Sequence, residues 1–193
     1  MPGRDRAAAL LRRRPAPSAV LPDEEGGGYV AARRLLDAGH RADRPGQPGG
    51  SHAGGAGQTS WLSTGPREAG IAHDPALITH ADATSVGGYE SASKLLDLPR
   101  RPTALFCCTD RMATGAYDAI KERGLSIPGH VAVIGFDNQI IIAEQLRPAL
   151  TTVALPFEEM GARSVALLVA ALANEEIPPV TVLDCQLIGR ESV

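Results

Sequence analysis

Residues 130–138, HVAVIGFDN, carry an unbroken apolar run from Val131 through Phe136. In an extended chain, successive side chains point to opposite faces, so this strand is apolar on both. A strand of that kind needs helices over both sides of its sheet, as in parallel α/β sheets. The run stops on Asp137 and Asn138, a carboxylate beside an amide. At the mouth of a buried strand such a pair either starts a turn or faces a ligand, and the local sequence admits both.

The surrounding chain repeats the strand–helix alternation. SAVLPDEEGGGYVAARRLLDAGH reads as a short strand, a turn and a helix with Val30, Ala31, Leu35 and Leu36 as its apolar stripe. Gly39 is placed to stop that helix. GYESASKLLDL is a helix with Thr84 or Ser85 as its cap, and TALFCC is a buried strand. TDRMATGAYDAIKERG is a helix stopped by Gly124, NQIIIAEQL a short helix, and LTTVAL a strand. FEEMGARSVALLVAALAN is a long helix whose first-turn glutamates suit the helix dipole, and VTVLDCQLIG is a final strand. The fold class is therefore α/β, with parallel sheets flanked by helices. In such sheets ligands bind beyond the carboxyl ends of the strands, where Thr109, Asp110 and Asp137 all fall.

One segment breaks the pattern. From Arg41 to Pro66 glycine and proline dominate, and Trp61 and Leu62 are the only large apolar residues. No packed strand or long helix is expected there.

Bulk properties narrow the function classes. A length of 193 residues allows one domain or two small lobes, and the net charge of −3 argues against nucleic-acid or anionic-membrane binding by this chain alone. No apolar run approaches the roughly 18 residues of a spanning helix, and the N-terminus lacks a signal-peptide pattern, so a cytoplasmic location is expected. The three cysteines, Cys107, Cys108 and Cys185, have no metal-ligand spacing and read as reduced thiols. The five histidines are scattered, and neither a phosphate loop nor a GxSxG elbow occurs. No metal, cofactor or catalytic residue is expected. Asp110 opens a helix directly after a strand, which a capping role explains without a ligand. Ile140, Ile141 and Ile142 cannot all face one core, so part of this patch suits a subunit contact.

PTALFCCTDRMATGAYDAIKERGLSIPGHVAVIGFDN, RPALTTVALPFEEMGARSVALLVAAL and LIGRESV, in that order, closely resemble the lactose repressor (LacI/GalR) family of transcriptional regulators. The resemblance covers residues 67–193, and DEEGGGYVAARRLLDAGH extends it over 20–40. It implies a two-lobed, type I periplasmic-binding-protein-like fold closing on a small-molecule effector, sugar or nucleoside-like. It also implies a homodimer, and operator DNA bound through an N-terminal helix-turn-helix. Carried over by position, Asp137 is the ligand-binding aspartate, Thr109 a polar ligand contact and Asp23 a further cleft residue. Tyr117, Ile140 and Ile141 lie where the family builds its dimer contact.

Against that family pattern, no helix-turn-helix is found before the domain and the first lobe is incomplete. Residues 1–19 read as poorly structured, 20–40 with 149–178 as the remnant of the first lobe, and 41–66 as irregular. Residues 67–148 with 179–193 read as the second lobe. An effector-contacting arginine of the family falls near Gly57 and is lost, and Ala83 stands where some members stack an aromatic under a sugar. We read the Gly/Pro segment as out of frame in a GC-rich gene, with the frame restored near Arg67. The leading function is effector sensing for a repressor. The alternatives are a periplasmic solute-binding protein of a transport system and a small enzyme using Asp137 and Asp110.

Overall fold

The computed structural model describes residues 18–40, 50–54 and 75–193. In chain order the elements are β1 (Ala19–Pro22), α1 (Glu24–Asp37), β2 (Gly50–Gly54), a 3-10 turn (Pro75–Leu77), β3 (Ile78–His80) and α2 (Ser85–Leu96). Then come β4 (Ala104–Cys107), α3 (Asp110–Glu122), β5 (Ala132–Asp137), α4 (Ile140–Ala143) and β6 (Thr151–Ala154). The chain closes with α5 (Phe157–Leu172), β7 (Val180–Leu183) and β8 (Gln186–Ile188). The expectations for residues 1–17, for Gly57 and for Trp61–Leu62 lie outside the described residues.

The larger unit, Asp23–Leu155 with Asp184–Val193, is built on a six-stranded sheet ordered β3-β2-β4-β5-β6-β8. All neighbours are parallel except β6 and β8, which pair antiparallel with Val153 opposite Leu187. The two-faced apolar strand expected from the sequence is β5. Val131 and Val133 join Leu105, Leu95, Met112, Tyr117 and Ile120 in one buried cluster. Ala132, Ile134 and Phe136 join Phe106, Val153, Ala31 and Leu35 in another. Alternation along β4 and β5 thus feeds α2 and α3 from one set of side chains and α1 from the other, with Phe106 and Phe136 edge-on at 6.3 Å. Helix boundaries follow local chemistry. Thr84 caps α2 by accepting from Gly87 N at 3.1 Å, and Gly39 and Gly124 follow α1 and α3 with φ of +92° and +68°.

The smaller unit comprises residues 18–22 and Pro156–Leu183 among the described residues. β1 and β7 pair in parallel, with Ala19 opposite Val180 and Pro22 opposite Leu183. Ser18 Oγ donates to Pro178 O at 2.7 Å, closing one end of the pair. Helix α5 has no buried residue in its length.

Three sequence expectations change. A strand, β2, does form inside the Gly/Pro segment, between β3 and β4. A ladder is made by backbone N–H and C=O groups, so it does not require the side-chain pattern on which strand recognition rests. VTVLDCQLIG is two strands, not one: β7 pairs with β1, whereas β8 pairs antiparallel with β6, so the set is not wholly parallel. The lobes also divide differently. Residues 23–40 and 149–155, placed in the first-lobe remnant by sequence, cluster with the six-stranded sheet, and Val180–Leu183 moves the other way. The reason is packing: Ala31 and Leu35 of α1 are buried against Phe106, Ile134 and Phe136.

Candidate ligand site at the end of β5

The carboxyl end of β5 departs from regular strand geometry at Asp137 and Asn138, whose φ angles are 110° and 51°. Two successive non-glycine residues with positive φ are uncommon and are held only where their surroundings fix them. Four bonds do so here. Gln139 N donates to Asp110 Oδ2 at 2.7 Å, and Gln139 Nε2 donates to Asp137 Oδ2 at 3.0 Å. Asn138 N reaches Thr152 Oγ1 at 3.4 Å, and Arg190 Nη2 donates to Asn138 Oδ1 at 2.9 Å.

Asp137 is half-buried, and its Oδ1 has no hydrogen-bond partner among the described residues. Burial pushes its carboxyl above the usual carboxylate range; the bond from Gln139 opposes this, Glu24 adds to it, and Arg111 opposes it. A partly desolvated carboxylate with a free oxygen is a strong acceptor for a hydroxyl or amine. Glu24 follows Asp23, whose Oδ1 accepts from Gly26 N at 2.9 Å and caps α1. The influence of Glu24 on Asp137 brings the start of α1 to the same end of the sheet.

Asp110 does not cap α3. Thr109 does, its hydroxyl accepting from Met112 N at 3.1 Å. Asp110, fully buried, turns inward, and Thr152 Oγ1 donates to its Oδ1 at 2.5 Å. Space for this exists because residue 135 is glycine: a Cβ there would lie 2.2 Å from Asp110 Oδ1. Burial raises the Asp110 carboxyl to about 6, against the lowering effect of the Thr152 and Gln139 bonds. Asp110 and Asp137 thus converge on one residue, Gln139. Both Asp110 oxygens are occupied and sealed from solvent, so it has no free oxygen with which to exchange a proton with substrate.

Of the residues expected at a dimer contact, Tyr117 is a correction. It is 1% exposed in the chain's own core, and its hydroxyl donates to Pro148 O at 3.1 Å. It has no surface to offer a partner. Ile140 and Ile141 are 60% and 72% exposed. Gln139, Thr152 and Arg190 were not singled out from sequence. Arg190 lies in LIGRESV, and its side chain also donates from Nη1 to Leu150 O at 2.9 Å.

Residues 48–193, well over half the chain, match the periplasmic binding protein-like domain family. The chain belongs to that family. Within it, the chain is 39% identical over 127 residues to the HTH-type transcriptional repressor CytR of Escherichia coli strain K12, covering 65% of this chain and 37% of the repressor. It is 35% identical over 177 residues to the ribose operon repressor of Haemophilus influenzae, covering 90% of this chain and 52% of that protein. A solved complex of the transcriptional regulator CelR with cellobiose superposes with a TM-score of 0.81 at 29% identity, over 94% of this chain and 55% of that one. The chain therefore spans about half the length, or less, of these repressors. The family resemblance read from sequence holds, and this periplasmic binding protein-like domain corresponds to the effector-binding domain of LacI-type regulators. Its relatives are repressors, which favours neither the transport nor the enzyme alternative. Among the described residues no helix is long and apolar enough to cross a membrane.

Proposed function

We propose that this chain is the effector-sensing part of a LacI/GalR-type repressor, and that its effector is a sugar or nucleoside-like molecule bound beyond the carboxyl ends of β4 and β5. The observation that carries this reading is Asp137: a half-buried carboxylate with one oxygen unbonded among the described residues, on a turn fixed by four hydrogen bonds, in a domain related to repressors. Asp137 accepts from effector hydroxyl or amine groups, with Thr109 and Asp23 as further contacts at that end of the sheet. Thr109 and Asp23 each already hold a helix N-terminus, so a ligand there would share their oxygens with backbone N–H groups. A solved relative bound to cellobiose and a relative named for the ribose operon support a sugar, and the likeness to CytR leaves the nucleoside class open.

In this reading the protein acts as a homodimer, with Ile140 and Ile141 at the contact, and reaches operator DNA through a helix-turn-helix. Effector binding biases the domain between conformations and so changes DNA affinity. The test is a titration of ribose, cellobiose, cytidine and adenosine into isotope-labelled protein, followed by amide shifts. The expected result is binding weaker than micromolar, with shifts centred on Asp137–Gln139 that vanish in Asp137→Ala. Micromolar binding that survives Asp137→Ala overturns the assignment.

A further inference from the structure

We propose that Asp110 is a positioning residue that clamps the Asp137–Gln139 turn to β6 and thereby fixes the direction in which the Asp137 carboxylate faces a ligand. This rests on the reading of Asp137 as the ligand-binding carboxylate.

The geometry is specific. One Asp110 oxygen takes Gln139 N at 2.7 Å and the other takes the Thr152 hydroxyl at 2.5 Å, so a single side chain bridges the turn after β5 to the middle of β6. Gln139 in turn donates through Nε2 to Asp137 Oδ2 at 3.0 Å. Asp110 therefore reaches the ligand carboxylate through one intermediate residue and touches no ligand itself. The turn needs this support, because Asp137 and Asn138 hold positive φ angles that non-glycine residues keep only where their surroundings fix them. Gly135 is the complement of the clamp, since any side chain there would displace Asp110 Oδ1. The bridge is also a buried charge. The titratable groups facing it are Asp137 at the end of β5, Arg190 beyond β8, Cys107 in β4 and Tyr117 in α3. Keeping a carboxylate in that setting is unfavourable for stability, and a group retained at such a site suits a task other than packing.

The test compares Asp110→Ala with Asp110→Asn in the full isotope-labelled chain. Asparagine can still accept from Gln139 N through Oδ1 and donate to Thr152 through Nδ2, so the conservative variant keeps both links. Alanine keeps neither. In Asp110→Ala the Gln139 amide is expected to exchange about tenfold faster or more, the loss typical of a deleted buried acceptor, while the Phe106 and Ile134 amides stay protected. In Asp110→Asn it stays within about threefold of wild type. Wild-type Gln139 is also expected to show a shift step in phase with the Asp110 carboxyl carbon, near pH 6, which Asp110→Asn abolishes. Equal Gln139 exchange in all three proteins, or no step in wild type, overturns the proposal. Should Asp110→Ala fail to fold, Thr152→Val decides: faster exchange at Gln139, which Thr152 reaches only through Asp110, supports the clamp, and unchanged Gln139 exchange overturns it. A parallel titration with ribose and cytidine separates the two readings. The amide measurements need no ligand, so their failure overturns the clamp itself. An intact clamp with no ligand response at Asp137 overturns only the ligand reading.

Discussion

Helices α3 and α5 come from one chain and have similar lengths, yet they live in different physical circumstances. α3 buries eight of its 13 residues between sheet and neighbouring helix; α5, with 16 residues and a more apolar sequence, buries none. On α5, Val165, Leu168, Val169 and Leu172 follow the i, i+3, i+4, i+7 spacing of a core-facing stripe and are all exposed. The smaller unit offers that stripe two short strands, whereas the larger unit gives α3 a six-stranded sheet and a second helix. A helix owes its stability mainly to the surface it buries, so the same alphabet produces a core in one place and, among the described residues, an exposed apolar face in the other.

The largest effect expected from this contrast is in side-chain truncation. Phe106→Ala should cost about 3–5 kcal/mol in urea denaturation, because Phe106 is buried against Phe136 and α1. Leu168→Ala should change stability by less than about 0.5 kcal/mol. A Leu168→Ala cost rivalling that of Phe106→Ala would show that α5 is covered in solution and break the comparison. Native-state hydrogen exchange sharpens it: α5 amides should exchange on the order of a hundredfold faster than those of α3.

Next in size is Asp110→Asn. The Asp110 carboxyl lies at about 6 in the folded chain against 3.8 as its ordinary value. The folded state thus holds a proton the unfolded state has released, and stability falls as pH rises from about 4 through 6. The displacement corresponds to about 3 kcal/mol at most by pH 7. Asp110→Asn should flatten that fall and raise the unfolding free energy at pH 7 by up to that amount, read as a higher urea midpoint. A midpoint unchanged at both pH 4 and pH 7 would refute the buried-charge account. Smallest is the cap of α2: Thr84→Ala removes the acceptor for Gly87 N and should cost about 1 kcal/mol by thermal unfolding.

Most of the larger unit was legible because its elements carry side-chain periodicity. Val131–Phe136 could only be a strand covered on both faces, and Thr84, Gly39 and Gly124 marked helix ends by local chemistry alone. The sequence was silent on partnership. Nothing in VTVLDCQLIG tells that Val180–Leu183 and Gln186–Ile188 join different sheets, since strand propensity does not encode a neighbour. Strand β2 was missed for the converse reason, its pairing resting on backbone groups. The site was half legible. Asp137 stood out as a polar stop on an apolar strand, but the cap was read at Asp110 where Thr109 supplies it, because cap and first helical position differ by one residue. Tyr117 follows Ala113 and precedes Ile120 on the helical core stripe, so its burial was readable; family position, not periodicity, had placed it at a surface.

The chain leaves the larger unit just after β6 and re-enters it just before β8. Thr152, which meets Asp110, sits on the departing strand, and Arg190, which holds Asn138, sits just beyond the returning one. The turn at Asp137 is thereby moored at two points, on two of the three stretches by which the chain passes into or out of this unit. Any shift of that turn pulls on both moorings at once.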